Sequence, residues 1–197
     1  MRYSLRLRVA VTFVLLLVLM LGGMGLILSE FISNQIIETT RSQLLAENRL
    51  VASEVAETWQ AQGGRELLNQ LANKYAAIFK ARVTFIDLQG TVVGESQYDS
   101  ALMEPHDNRP EVLKALAGGE GSEIRYSQTL KQNMMYVAVP IQLSGKVVGV
   151  SRLSLSMSAV QSHLTSAQNT ILLVTLAGIF LAIVLAILLT DRTTRPL

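Results

Sequence analysis

The chain contains no cysteine. That excludes disulfides, thiolate catalysis and cysteine-held metal centres, and any folded region must be held by its core alone. Histidine occurs only at His106 and His163, without the spacing of a metal-ligand pair. No glycine-rich phosphate loop follows a strand pattern, and no G-x-S-x-G is present. No catalytic residue, metal or cofactor is therefore expected within these 197 residues. Aromatic residues make up only 6% and are not interleaved with any basic run. The pI near 9.0 is thus not a nucleic-acid footprint.

Charge is missing altogether from two long runs, Val9 to Leu28 and Ile171 to Leu189. Each has roughly the 20 residues an α-helix needs to cross a bilayer core of about 30 Å. Arg2, Arg6 and Arg8 precede the first run, and Arg192 and Arg195 follow the second. Lys and Arg collect on the cytoplasmic side of membrane spans. Both termini are accordingly predicted inside a cell membrane and residues 30–169 outside it, with no nucleic-acid partner. The predicted layout is a cytoplasmic segment 1–8, a membrane helix 9–28, an external domain 29–170, a second membrane helix 171–190 and a cytoplasmic segment 191–197. A cleaved signal peptide is the alternative for the first run. Its apolar stretch exceeds the usual 7–15 or so residues, and no A-x-A-like site follows Leu28. Residues 30–169 hold 12 basic and 14 acidic side chains, so the external part is slightly acidic and large enough for one compact domain.

Beyond Leu28 no helix breaker occurs before Gly63-Gly64, and residues 29–61 are predicted as one helix leaving the membrane. Ile37, Leu44 and Val51 repeat every seven residues along it, interrupted by Arg41 and Asn48. Such a stripe is a dimer seam between two copies of the chain, the face that packs on its own domain, or both at different heights. A second helix is predicted from Arg65 to Lys80. The period then falls to two, giving a hairpin of Arg82–Leu88 and Thr91–Glu95 around Gln89-Gly90. Residues 96–109 are polar and irregular. Asn108 and Glu111 stand three apart around Pro110, as in a capping box, and open a short helix that Gly118-Gly119 closes. Strands Ser122–Thr129, Met134–Gln142 and Lys146–Leu155 follow, and a helix from about Ser156 runs into the second apolar stretch. Pro140 requires a sheet edge or a bulge, where no ladder N–H is used. The result is an α+β domain with a long N-terminal helix and a five-stranded antiparallel sheet, flanked by two transmembrane helices.

That order between two spans resembles the extracytoplasmic PAS-like sensor domains called Cache or PDC. The resemblance rests most on Asn108-Arg109-Pro110-Glu111-Val112-Leu113-Lys114-Ala115-Leu116-Ala117-Gly118, and continues through Gly121–Ser127 to Met135–Ile141. These segments are similar to the sensor region of phosphate-regulon (PhoR or PnpS) bacterial histidine kinases. Thr194-Arg195-Pro196-Leu197 resembles the opening of a HAMP linker. The resemblance implies a two-component sensor that relays an external stimulus to a kinase core beyond this sequence. It also implies ATP and Mg for that core, a response regulator as its partner, and a homodimer. A chemotaxis receptor, a nucleotide cyclase or a membrane-tethered binding module are the alternatives for the same hairpin.

In such a fold the resemblance puts a ligand pocket on one sheet face, under the loop and short helix between the second and third strands. That segment supplies His106, Asp107 and Arg109, and the following strands supply Arg125, Tyr126 and Tyr136. Arginine offers a planar fork to an anion, and tyrosine an apolar ring with one polar end. Structural roles compete at each position. Arg109 either meets a ligand or ties the loop through Asp107 or Glu111. Arg125 is either a ligand contact or a solvated strand residue, and Tyr136 either a contact or core. His106, beside Asp107, is either a titrating loop residue or incidental.

Overall fold

The computed structural model describes residues 5–59, 64–128 and 130–192. Among the described residues four α-helices and five strands follow in order: α1 (Leu5–Thr58), α2 (Gly64–Phe79), β1 (Arg82–Ile86), β2 (Val92–Glu95), α3 (Pro110–Leu116), β3 (Gly121–Ser127), β4 (Gln132–Leu143), β5 (Lys146–Ser156) and α4 (Met157–Arg192), with a short 3-10 turn at Ser100–Leu102 between β2 and α3. They match the predicted elements closely. Gly63 and the Thr194–Leu197 tetrapeptide lie outside the described residues.

The chain divides into two units, Ile37–Val160 and a second made of residues 1–36 and 161–197. Among the described residues α1, which begins in the second unit and continues into the first, is the one helix long and apolar enough to cross a membrane. The described apolar stretch of α4, Gln168–Val184, is shorter. Within the second unit Gln168 Nε2 donates to Ser33 Oγ at 3.5 Å.

In the first unit the five strands form an antiparallel sheet in the order β2-β1-β5-β4-β3. The β1–β2 turn is held by the Asp87 carboxylate, whose Oδ1 accepts from the Gln89 and Thr91 amides at 2.9 and 2.8 Å. Pro140 pairs with Val150 in β4, beyond the point where β3 ends opposite Ala138. On that side it is a local edge, and the register shifts one residue further on, between Ile141 and Gln142.

One face of the sheet is apolar and carries the main core. Val83 and Phe85 of β1, Met135, Val137, Val139 and Ile141 of β4 and Leu153 of β5 meet α1 and α2 there. Leu44 and Val51 belong to this core, 4% and 0% exposed, with Ile37 packed against it. Their seven-residue repeat therefore marks the side α1 turns to its own sheet. Leu44 and Val51 are occupied by this packing, while Ile37 stays half-buried at its margin. Asn48 lies on the same side, fully buried. Its Nδ2 donates to the carbonyls of Val137 and Ser151 at 3.2 and 2.9 Å, and its Oδ1 accepts from Ser151 Oγ at 2.6 Å.

Candidate ligand site

Alternation along the strands sends a different set of side chains to the opposite face. They are Arg82, Thr84 and Ile86 from β1, Val150, Arg152 and Ser154 from β5, Met134, Tyr136 and Ala138 from β4, and Arg125 from β3. The short helix α3 covers only the apolar end of this face, where Val112 and Ala115 pack with Ile86, Ala138 and Val150. Gly121 permits that seating, because a Cβ there would collide with the backbone of Glu111. The loop before α3 closes the other side. The His106 amide donates to the Gly90 carbonyl at 2.7 Å. Gly90, at φ +82, has room for no side chain against Asp107, whose Cβ would lie 2.5 Å away.

The polar end of the face is buried and charged. Arg82 and Glu95 form a two-pronged ion pair at 3.0 and 3.1 Å. Glu95 also accepts from Thr84 Oγ1 at 2.9 Å and from the amides of Ser96 and Gln97, so its oxygens are fully used. Arg152 Nη2 reaches Thr84 Oγ1 at 3.4 Å, and its Nη1 lies 3.5 Å from Glu111 Oε1. Arg125 Nη2 donates to the same Glu111 oxygen at 3.1 Å. Both guanidiniums stand over the ring of Tyr136, at 4.1 Å for Arg125 and 5.2 Å for Arg152. Burial lowers the pKa of Arg152, and Glu111 opposes that shift, so the group stays protonated at neutral pH.

Several buried polar atoms in this cluster have no hydrogen bond within the chain: Arg152 Nε and Nη1, Arg125 Nε, Ser154 Oγ and Glu111 Oε2. Buried polar groups are normally paired, so this concentration of open ones sets the face apart from the rest of the domain. Beside them His106 Nδ1 donates to the Glu104 carbonyl at 2.8 Å, which fixes the ring. Its pKa is pushed down to about 4, by burial first and then by the charges of Arg152 and Arg109. The ring is neutral at pH 7, and Nε2 is left as an acceptor.

Of the residues expected from sequence, Arg125, Tyr136 and His106 come together here around Arg152 and Glu111. Arg109 is the N-cap residue of α3, with its Nε buried and unpaired. Asp107 is exposed. Tyr126 follows Arg125 along the strand, so it alternates to the other face and is 47% exposed. The expected capping box is absent: α3 has no side-chain cap, and the Glu111 carboxylate is drawn inward by the two arginines. Arg152, Arg82, Thr84, Glu95 and Ser154 were not singled out from the sequence. Their signal is polar residues at i, i+2 spacing in β1 and β5, interleaved with the fully apolar Val83, Phe85 and Leu153.

The family model described as Single Cache-like matches residues 34–156. The chain belongs to the single Cache-like family. No curated protein sequence matches it. Solved structures with the same Cache fold include the sensor domain of the Vibrio cholerae histidine kinase DctB, with a TM-score of 0.59 and 17% identity over 68% of this chain. The chain spans 55% of that relative's length. The Escherichia coli DcuS sensor domain matches with a TM-score of 0.57 and 18% identity, over 66% of this chain and 98% of its own. The ligand-binding domain of the Campylobacter jejuni chemoreceptor Tlp3, solved with L-valine, matches at 0.56 and 18%, over 74% of this chain and 63% of its own. The Cache sensor fold of this chain is thus shared with receptors of both output types.

Proposed function

We propose that this chain is the sensory part of a bacterial two-component histidine kinase of phosphate-regulon type. It is held in the cell membrane by α1 and α4, with both termini cytoplasmic, and works as a homodimer that addresses a response regulator through a kinase core using ATP and Mg. The observation that carries the sensor reading is the cluster of open, buried polar atoms on the α3 side of the sheet. A fold alone requires no such cluster, and a small extracytoplasmic ligand satisfies it. The kinase reading is supported by the Asn108–Ile141 resemblance, and the second span by the uncharged run Ile171–Leu189.

Connectivity supplies the mechanism. α1 runs unbroken from Leu5 to Thr58, and β5 passes directly into α4 at Ser156-Met157. A ligand that prefers one arrangement of α3 on the sheet thereby acts on both helices, and helix shifts of about 1–2 Å are typical of such transitions. A chemoreceptor is the second reading, favoured by the likeness to Tlp3. Cysteine replacing Ser96 should react with a membrane-impermeant thiol reagent on intact cells, and cysteine replacing Ser4 should not. Labelling at Ser4 instead overturns the topology. Phosphoryl transfer from ATP to a histidine in the intact receptor separates a kinase from a chemoreceptor.

A further inference from the structure

α1 and α3 pack on opposite faces of the sheet, yet one link joins them around its edge. β3 begins at Gly121, opposite Ala138, and β4 runs on to Leu143 without a neighbour on that side. Past this open edge the segment after α3 reaches α1. The Glu120 carboxylate accepts from Arg49 Nε and Nη2 at 2.6 and 2.7 Å. Among the described residues no other hydrogen bond or ion pair connects α1 with residues 110–121. Beside the pair lies a cavity of about 350 Å³, lined by Ala52 and Ser53 of α1, Gly118, and Val139 and Pro140 of β4. The link is therefore tied to α1 by charge rather than by close packing.

Glu120 is fixed to α3 on both of its sides. The Gly118 and Gly119 amides donate to the Ala115 and Lys114 carbonyls at 2.9 and 3.0 Å. Gly121 lies so close to the Glu111 backbone that a Cβ has no room there. A shift of α3 thus carries the Glu120 carboxylate with it. At the other end Arg49 follows Asn48, whose three hydrogen bonds seat α1 on β4 and β5. A two-pronged pair fixes direction as well as distance, because both N–H groups must meet the carboxylate in one plane. We propose that Arg49 and Glu120 form a latch that passes movement of α3 to α1 around the edge of the sheet. This rests on the reading of α3 as the element that a ligand moves. The pair is exposed and adds little to stability, so its loss uncouples the two helices and leaves the domain folded.

The experiment displaces α3 by mutation, with no ligand. The chain has no cysteine of its own, so Ser42→Cys on α1 and Lys146→Cys at the start of β5 take nitroxide labels cleanly. Their separation is read by dipolar electron spin resonance on the full chain in nanodiscs, diluted with unlabelled chain. Ala115 is fully buried under α3, and Ala115→Leu lifts the helix by overpacking. That variant is expected to shift the label separation by about 1–2 Å. Arg49→Glu is expected to abolish the shift, and Arg49→Glu combined with Glu120→Arg to restore it. Circular dichroism melting checks each fold, and Val112→Ala, which loosens α3 instead, replaces Ala115→Leu if that variant does not fold. A shift that persists in Arg49→Glu overturns the latch, since movement then passes through the sheet. Absence of any shift with the pair intact, or failure of the exchanged charges to restore it, overturns it as well. None of these measurements uses a ligand or a kinase, so the topology and phosphoryl-transfer experiments decide the sensor reading separately.

Discussion

The two faces of one sheet are made by alternate residues of the same strands, yet they follow opposite rules. The face under α1 and α2 is almost wholly apolar, with Asn48 as its buried polar insert. The face under α3 is apolar only where α3 covers it, and elsewhere carries buried Arg82, Arg152, Glu95 and Glu111 with Arg125 half-buried beside them. Burial of apolar area stabilises a fold without specifying a partner. Buried ion pairs, by contrast, contribute little net stability, because desolvation offsets most of their attraction. The first face holds the domain together, and the second adds little to that hold.

The comparison is broken most directly at Phe85, which is fully buried on the apolar face. Phe85→Ala should cost about 3–5 kcal/mol, read by denaturant unfolding. Replacing Arg82 and Glu95 together by Met and Leu should cost far less, because the gain from removing a buried ion pair offsets the loss of the acceptor for Thr84 Oγ1 and the Ser96 and Gln97 amides. If that double variant unfolds instead, the polar face is structural and the contrast between the faces fails.

His106 gives the next effect. Its folded pKa of about 4 lies below the ordinary 6.5, so the unfolded chain binds the proton more readily between those values. Stability on this account is complete above pH 6.5 and falls as the pH drops toward 4, by about 3 kcal/mol at most. A melting series from pH 7 to 4 should show that slope, and His106→Gln should flatten it. On the opposite face Asn48→Ala should cost about 1–3 kcal/mol, since Ser151 Oγ loses its buried acceptor. The smallest effect is expected at Arg49 and Glu120, an exposed pair at 2.6 Å. Arg49→Ala should not shift the melting midpoint measurably.

Much of this fold is legible in the sequence because its signals are local. The change from a 3.6-residue to a two-residue period at Arg82, the Gln89-Gly90 turn and the Gly118-Gly119 stop each depend on neighbours only. The site is less legible because it is assembled from β1, β3, β4, β5 and α3, and Arg152 meets Thr84 across 68 residues of chain. Glu111 resembled a capping residue, since Asn108 and Pro110 surround it with helix-start signals. Nothing local reveals that two distant arginines draw its carboxylate inward. The Ile37, Leu44 and Val51 stripe had the opposite difficulty. A core-facing helix and a dimer seam share one periodicity, and only burial tells them apart.

Asn48 has a consequence for how α1 is set against its sheet. Its side chain makes three hydrogen bonds to β4 and β5. A slide of one helical turn, about 5.4 Å, would bring Leu44 or Ala52 to the same place, and neither side chain can donate or accept. The helix is keyed to one axial position, and every neighbouring position leaves Asn48 buried without partners. Displacements of α1 against β4 and β5 that keep the key engaged are pivots about residue 48, so the two ends of this segment swing in opposite directions.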